Sequence, residues 1–512
     1  MPLSSRGIDS QIGSSWSVRI LLLASAGILF LTLFPFRFAV PDNLAQPVLI
    51  TGMGKTGSTF DQFLNVLLFV PFGFGLAEML RERGKSKQTV ILAALAAGAL
   101  FSYTIETLQI YVPTRDSGWG DVFTNTAGCL FGAAAFEAIG APLLRAANRG
   151  EAALALFFTP GIVAGTLALY FAVWLTVSFQ LQQRSRLADW LPNSLLLVGN
   201  DAATHSAWGG QLLRLEIWDE ALPANYAAAL TSGSTSLAPR NLPHAITAYD
   251  FSAQPPAADR AGLLPPISGK PAPATPYDSD DPNFDGVASP ALQTSATSLV
   301  EALQRTNHFS LHLVCRPAAY SSAPARILWI APQDGAANLA VRQEGANFVF
   351  WFRNPLSAQH AGLTYVIGDL FASGKTRDVV ITYDGAQVSF FVDGRRLSRL
   401  YRLGPGAAIV WYFRWLRPAE LEAYSDLYYA IVFIPAGVVL GVARRNTPSG
   451  QIATRILWLL VIVAPPLLLE ACLIAASGRR LQVGRVVLSF AMLVAGALWI
   501  NAGRSIRRPA AT

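Results

Sequence analysis

The stretch that decides the fold lies between Asp61 and Gly132. It reads DQFLNVLLFVPFGFGLAEMLRERG at 61–84 and, after one further apolar run, IETLQIYVPTRDSGWGDVFTNTAGCLFG at 105–132. Each apolar run approaches the roughly 20 residues that cross a bilayer. Polar side chains nevertheless recur inside these runs at fixed spacings. Because hydrocarbon makes buried polar groups costly, they predict a functional site within membrane-spanning helices.

The composition of the whole chain is that of a membrane protein. The chain has 512 residues, of which 52% are hydrophobic and 14% charged, whereas a soluble domain carries about 25% charged residues. The net charge of +7 comes largely from arginines beside apolar runs, which indicates membrane topology and no nucleic-acid partner. The three cysteines show no metal-ligand spacing, so neither a disulfide framework nor a cofactor is expected.

Eight apolar segments predict eight membrane-spanning helices. They run over roughly 19–35, 60–80, 89–112, 119–144, 152–179, 428–443, 452–476 and 483–500. The sixth is short, and Pro465-Pro466 interrupts the seventh. The expected organisation is a transmembrane domain over 1–150, a fifth helix over 151–180, an inserted polar domain over 181–425 and C-terminal helices over 426–512.

Basic side chains cluster at one set of helix ends. The clusters follow the second, fourth, sixth and eighth helices and comprise Arg81, Arg83, Lys85, Lys87, Arg145, Arg149, Arg444, Arg445, Arg455, Arg504, Arg507 and Arg508. Since positively charged loops stay in the cytoplasm, both termini are expected there and the inserted domain outside. Arg115, Arg479 and Arg480 are exceptions on the outer side.

The inserted domain consists of short strand-like runs separated by glycine turns. The clearest runs are 308–316, 325–330, 347–352, 377–383 and 387–392. The last two flank Asp384-Gly385, a pair typical of a hairpin turn. The pattern predicts an all-β jelly-roll sandwich inserted into an α-helical polytopic membrane bundle.

Four segments of this domain resemble a known sandwich family. They are WGGQLLRLEIWDEALPANY at 208–226, AYDFS at 248–252, TNHFSLHLVCRP at 306–317 and VVITYDGAQVSFFVDGRRL at 379–397. They look like the concanavalin A-like jelly roll of laminin-G-type domains. The resemblance implies a carbohydrate- or protein-binding module, and the glutamate-bearing catalytic strand of the glucanase members is absent from the sequence.

Two sets of side chains in this domain have alternative interpretations. The acids that could hold calcium through their oxygens are Asp250, Asp259, Asp278, Asp280 and Asp281. Solvated loop acids are the simpler interpretation of that set. Trp329 and Trp351 could stack on sugars, but burial in the sandwich is favoured because aromatic side chains prefer cores.

The polar residues of the first membrane segments predict a common site. Glu106 and Gln109 are three residues apart and share one helix face. Asp121 and Asn125 are four apart and also share a face. The loop 113–118 is so short that the two helices must be antiparallel neighbours. The expected substrate-binding set is Asn65, Glu106, Gln109, Arg115, Asp116, Asp121 and Asn125.

This set has a structural alternative, namely hydrogen bonds that hold the helices together, worth about 0.6–2 kcal/mol each. The amides fit both interpretations, whereas the ionisable Glu106 and Asp121 favour a polar-headgroup site because they are costly as mere cross-links. Two G-x-x-x-G patterns, at 128–132 and 161–165, predict close helix contacts. Phe69-x-Pro71-x-Gly73 predicts a kink and a close-packing point.

The same residues resemble the VanZ-like family of bacterial membrane proteins. The resemblance rests on FPFRF at 34–38, NVLLFVPFGF at 65–74 and the run at 105–132. The positions that match are Asn65, Phe69, Pro71, Gly73, Glu106, Gln109, Arg115, Asp121, Asn125, Gly128 and Gly132. The family takes its name from a glycopeptide-resistance accessory protein, so the resemblance implies a cell-envelope context and no particular chemistry.

The C-terminal helices echo the first set at a constant shift of 364 residues. IVFIPAGVVLG at 431–441 aligns with the run at 67–77, and the shift also pairs Glu470 with Glu106, Arg479 with Arg115 and Gly496 with Gly132. The polar set is lost, because the counterparts of Asn65, Gln109, Asp121 and Asn125 are Tyr429, Leu473, Arg485 and Ser489. The pattern predicts a duplication whose second copy is scaffold.

The sequence favours a bacterial inner-membrane protein that binds a glycan or a lipid-linked envelope precursor. One alternative is an intramembrane enzyme in which Glu106 or Asp121 is a general base and Arg115 holds phosphate. Another is a transporter, which a parallel repeat mildly favours. The absence of histidine and lysine from the predicted site speaks against the enzyme. Membrane lipid is the expected partner.

Overall fold

A computed structural model describes most of the chain. The described residues are 16–34, 36, 38, 59–112, 117–157, 159–199, 208–232, 244–251, 258–268, 292–318, 324–332, 337–357, 363–412, 420–446 and 452–502. They form two compact units. One comprises Met1–Tyr170, Tyr429–Ala464 and Val487–Thr512, and the other Phe171–Tyr428 and Pro465–Val486.

Eleven α-helices lie in the described chain. They are α1 Trp16–Leu33, α2 Thr59–Glu82, α3 Lys87–Gln109, α4 Trp119–Phe157, α5 Pro160–Gln183, α6 Ala224–Leu230, α7 Thr297–Thr306, α8 Pro405–Tyr412, α9 Leu421–Asn446, α10 Ile452–Ser477 and α11 Val483–Asn501. By length and composition, eight of these described helices can cross a membrane, namely α1 to α5 and α9 to α11. The eight predicted segments are therefore confirmed as helices of spanning length.

Two details of the helix prediction are wrong. The segment from residue 152 does not open the fifth helix, because α4 continues to Phe157 and α5 begins at Pro160. Proline is well suited to a first helical position, since its missing N–H has no partner there in any case. Pro465-Pro466 does not interrupt the seventh span, because α10 runs through both residues, which a membrane helix tolerates.

Helices α2 and α4 meet at backbone distance. A Cβ built on Gly73 would overlap the carbonyl oxygen of Cys129, and one on Gly132 would overlap that of Val70. The close contact predicted from the pattern at 128–132 is thus confirmed. The close contact predicted from the pattern at 161–165 is wrong, because no described atom lies within 4 Å of a Cβ built on Gly161 or Gly165.

Thirteen strands of the described chain form two antiparallel sheets. They are β1 Leu195–Val198, β2 Gln211–Trp218, β3 Thr247–Asp250, β4 Leu292–Ser295, β5 Phe309–Arg316, β6 Ala325–Ala331, β7 Leu339–Glu344, β8 Asn347–Phe352, β9 Tyr365–Ile367, β10 Arg377–Tyr383, β11 Gln387–Val392, β12 Arg395–Arg396 and β13 Tyr401–Arg402. One sheet has the order β4-β1-β6-β7-β8-β9. The other has the order β12-β11-β10-β5-β2-β3, with β13 beside β11.

The predicted strands and hairpin agree with these sheets. The five predicted runs correspond to β5, β6, β8, β10 and β11, with ends that differ by one residue at most. Gly385 has a φ of +85° in the turn that joins β10 to β11, which explains the glycine there. The interior between the sheets is aromatic, with Phe309 edge-on to Phe352 at 5.6 Å and tilted against Tyr383 at 5.4 Å.

The prediction that Trp329 and Trp351 are buried in the sandwich is wrong. Both side chains are half-buried on the outward face of the six-stranded sheet. They flank Ala340, which pairs with Trp329 across β6–β7 and with Trp351 across β7–β8. A bulge between Arg326 and Leu328 moves Trp329 from the inner to the outer face of β6.

The turn between α10 and α11 packs on one end of the sandwich. Asn307, in a left-handed conformation after α7, donates from Nδ2 to the carbonyl oxygen of Ser477 at 2.6 Å. The His308 Nε2 lies 3.0 Å from the carbonyl oxygen of Gly478. A Cβ on Gly385 would overlap the Ser477 carbonyl. The β domain and this turn therefore form one packed body within their unit.

Candidate functional site

Glu106 stands near the end of α3, where its helix gives way to the loop that leads to α4. Its side chain is 2% exposed. The backbone N–H of Gly118, at the start of α4, donates to its Oε2 at 3.0 Å. The carboxylate thus closes the loop by accepting a backbone donor that the following helix leaves without an intrahelical partner.

Asp121, in the first turn of α4, is linked to α2. Asn65 Nδ2 donates to Asp121 Oδ1 at 2.8 Å. The Asp121 and Glu106 carboxyl groups are close enough to interact electrostatically. Asp61, one turn before Asn65 on α2, interacts with Asp121 in the same way. The site therefore gathers three acids from three helices.

The two amides, Gln109 and Asn125, are each bonded through nitrogen. Gln109 Nε2 donates to the Thr32 carbonyl oxygen at the end of α1, at 3.0 Å. Asn125 Nδ2 donates to Ser102 Oγ at 2.9 Å. The side-chain oxygens of both amides are buried and have no hydrogen-bond partner among the described residues. Both amides therefore keep an acceptor free within the helix bundle.

The polar side chains of α2, α3 and α4 face one another within the bundle, and we call this set the polar column. Ser102, Glu106 and Gln109 lie on one face of α3, because they are four and three residues apart. Asp121 and Asn125 form the facing side on α4. The polar column comprises Asn65, Ser102, Glu106, Gln109, Asp121 and Asn125. Predicted members Arg115 and Asp116 lie outside the described residues.

The polar column is composed of carboxylates, amides and one hydroxyl. Among its described members there are two carboxylates, three amides and a hydroxyl, and no histidine, lysine or arginine. No group of three or more possible metal ligands occurs in the described part of the chain. Carboxylates in a low-dielectric bundle require a counterion or hydrogen-bond donors. The arrangement therefore suits a polar ligand that donates hydrogen bonds.

Three contacts of the first helices recur 364 residues later. The close approach of Gly73 to Cys129 is repeated by Gly437 and Leu493, and that of Gly132 to Val70 by Gly496 and Ile434. The hydrogen bond from the Gly118 N–H to Glu106 is repeated by one from the Gln482 N–H to Glu470. The last bond is 2.8 Å long. Glu470 also binds the guanidinium of Arg479, and both of these side chains are buried.

The fold and the site define a polytopic α-helical membrane protein with a β domain inserted between its fifth and sixth spans and a polar column in its first helices. Within that class, residues 10–140 match the VanZ/LLP1 family model. The matched range contains the whole polar column. No curated protein and no solved structure gives a significant match to the chain.

A second polar cluster, which the sequence did not indicate, lies on the outward face of the other sheet. His312 Nδ1 is 2.7 Å from Glu216 Oε2, and its Nε2 is 2.8 Å from Asp378 Oδ1. Burial by itself lowers the pKa of His312, but hydrogen bonds to Asp378 and Glu216 outweigh it and raise this pKa above its ordinary value. Burial likewise opposes the ionised Glu216, yet the bond to His312 lowers the pKa of Glu216.

The proposed calcium ligands are only partly within the described chain. Asp250 pairs with Arg260 at 2.7 Å. Asp259 accepts from the backbone N–H groups of Ala248 and Leu264 at 2.7 and 2.9 Å. Both carboxylates thus have donors of their own, and Asp278, Asp280 and Asp281 lie outside the described residues. Calcium binding stays a prediction.

Proposed function

We propose that this chain is a VanZ-like protein of the bacterial cell envelope that binds a glycan or a lipid-linked envelope precursor. The observation that carries the proposal is the polar column, in which the acids of α3 and α4 lie beside amides whose oxygens have no described partner. Polar groups that only cross-link helices normally use their full hydrogen-bonding capacity, because an unmade bond in a membrane is costly.

Binding is favoured over catalysis by the composition of the column. An intramembrane enzyme would use Glu106 or Asp121 as a general base. This alternative therefore involves the same two residues as the binding hypothesis. However, Glu106 already accepts the Gly118 N–H and Asp121 the Asn65 amide. A transporter is the third candidate, supported only by the repeated contacts.

We also infer that the C-terminal helices are a second, degenerate copy of the first set. The three contacts repeated at one shift support this, since chance similarity between apolar sequences would not reproduce backbone contacts. In this copy Arg485 replaces Asp121 and binds Asp426. The second copy thus carries its own cations and acts as scaffold.

The orientation follows from the basic loops. We place both termini in the cytoplasm and the sandwich outside the membrane. We further propose that the sandwich is a concanavalin A-like module that contributes to glycan binding. The specific observation in favour is the half-buried indole of Trp351 on the outward face of the six-stranded sheet. The ring of the nearby Trp329 is covered by the Arg326 guanidinium, which lies 4.0 Å from the ring centroid. An indole at a surface suits stacking on a sugar ring, because it presents a large apolar face at little entropic cost.

The test is to identify what co-purifies with the intact protein in detergent by lipid mass spectrometry. We expect a bound lipid or lipid-linked glycan whose occupancy falls strongly in the Glu106→Ala and Asp121→Ala variants. Glu470→Gln, at the counterpart position, should change occupancy little. Equal loss from Glu106 and Glu470 variants would contradict the assignment of the site to the first copy. Turnover of a lipid extract by purified protein would favour the enzyme.

A further inference from the structure

The polar column is rich in acceptors and poor in donors. Its two buried amides, Gln109 and Asn125, are 7% and 3% exposed. Each donates its nitrogen to a protein oxygen, on Thr32 and Ser102 respectively, and leaves its own oxygen unpaired among the described residues. A ligand that completes the column must therefore bring hydrogen-bond donors.

The column is also negatively charged. The Glu106 and Asp121 carboxylates interact with each other, and no basic side chain of the described chain interacts with either of them. Two carboxylates in a helix bundle are stabilised far better by a cation than by neutral donors. The ligand that fits this field is cationic. An anionic group would be repelled at this end of the column.

The C-terminal copy shows how this scaffold uses a cation. Glu470 accepts the Gln482 N–H, as Glu106 accepts the Gly118 N–H, and in addition holds the Arg479 guanidinium. Arg485, at the position of Asp121, pairs with Asp426. Each acid of the second copy that we compare is thus neutralised from within the chain. In the first copy the counterpart of Arg479 is Arg115, which lies outside the described residues, and the position of Arg485 holds the acid Asp121.

We propose that the polar column binds a primary ammonium group, carried by a lipid headgroup or by a soluble amine. The inference rests on the proposed function and names the chemistry of its ligand. An ammonium offers three N–H donors and no acceptor, which matches the Glu106 and Asp121 carboxylates and the free oxygen of Asn125. A quaternary ammonium, which has no N–H, would satisfy the charge but leave the amide oxygen unpaired.

The experiment uses the full-length protein in phosphatidylcholine nanodiscs. Phosphatidylethanolamine, phosphatidylglycerol or a neutral glucosyl diacylglycerol is added as a minor component, and native mass spectrometry measures the retained lipid. We expect retention of phosphatidylethanolamine, reduced roughly tenfold or more by Glu106→Gln and by Asp121→Asn. Glu137→Gln, a partly buried acid on the same α4 helix that pairs with Arg81, is the control and should retain the lipid.

The other outcomes distinguish a wrong ligand chemistry from a wrong binding site. Column-dependent retention of the glucosyl lipid or of phosphatidylglycerol, without phosphatidylethanolamine, overturns the ammonium and leaves the proposed function standing. Retention that no column variant changes overturns both. A competition experiment adds soluble ethanolamine to the protein with its retained lipid. If ethanolamine displaces the lipid, the natural ligand is assigned to a soluble amine. If the lipid stays bound, the ligand is assigned to the lipid headgroup. Both results support the shared chemistry.

A variant of Arg115 tests whether the chain itself supplies the cation of the polar column. Arg115 is the sequence counterpart of Arg479 and lies outside the described residues. Unchanged phosphatidylethanolamine retention in Arg115→Gln supports an external ammonium. A variant that binds the lipid when the wild-type protein does not would overturn the proposal, because the cation of the column would then be the chain's own.

Discussion

Gly73 lies so close to α4 that any side chain there would meet the backbone at Cys129. We expect Gly73→Ala to lower the stability of the folded protein by about 1–3 kcal/mol or more, because a clash with backbone cannot be relieved by a rotamer change. The measurement is the thermal unfolding midpoint of the purified protein. Gly161→Ala is the matched control, since no described atom crowds that position. Equal midpoints for the two variants would contradict the close contact.

His312 predicts a specific dependence of stability on pH. Its pKa is raised in the folded protein, so its stabilising contribution is complete below the ordinary histidine value of about 6.5 and is lost as pH rises through the raised value. The pKa of Glu216 is lowered, so its contribution is present above about 4.3 and is lost as pH falls. The ion pair is therefore strongest between these two limits.

The check is a series of unfolding midpoints from about pH 6 to pH 9. We expect the midpoint of the wild-type protein to fall over this range relative to His312→Gln, which cannot titrate. His308→Asn is the control histidine, outside the carboxylate pair. A wild-type midpoint that rises relative to His312→Gln with increasing pH would show that the sign is wrong.

At the scale of helices, we expect the two proposed copies to respond differently to the loss of their glutamates. Glu470→Ala leaves the buried Arg479 without its carboxylate, which typically costs about 3–5 kcal/mol. Glu106→Ala removes one acceptor of a backbone N–H, which costs about 1–3 kcal/mol, but should abolish ligand binding. Unfolding midpoints and lipid retention, measured on the same preparations, separate the two effects. A larger loss of stability from Glu106→Ala would contradict this comparison.

The sequence identifies the elements better than the contacts between them. Asn65, Glu106 and Asp121 were recognisable because each interrupts an apolar run. Ser102 was not, since a serine in a membrane helix commonly bonds its own backbone. Trp329 was misplaced because a bulge inverts the alternation of β6. Trp351 was misplaced because residues 348–352 of β8 are all apolar and show no alternation. The Glu216–His312 pair depends on β2 lying beside β5, which no local pattern encodes.

At the scale of the molecule, the duplication that we propose accounts for the differences between the two helix sets. In the second copy Glu470 keeps its bond to the following helix and gains Arg479, and the turn that carries Arg479 begins at Ser477, which packs on the sandwich. A copy that supports a β domain needs a rigid, neutral end. A copy that takes a ligand needs unpaired acceptors. The residues at the counterpart positions differ in that direction.

The orientation of the molecule can be tested with two exposed lysines. Lys375, between β9 and β10, lies on the sandwich, and Lys85 lies in the turn between α2 and α3. Of the three native cysteines, Cys129 and Cys315 are buried and Cys472 is partly buried within α10; the protein with no added cysteine gives the background. If the sandwich is outside the membrane, Lys375→Cys should react with a membrane-impermeant maleimide on intact spheroplasts. Lys85→Cys should react only after the membrane is opened, because a loop rich in basic residues stays in the cytoplasm. The reverse pattern would place the sandwich in the cytosol, where no periplasmic glycan or outer-leaflet headgroup could reach it.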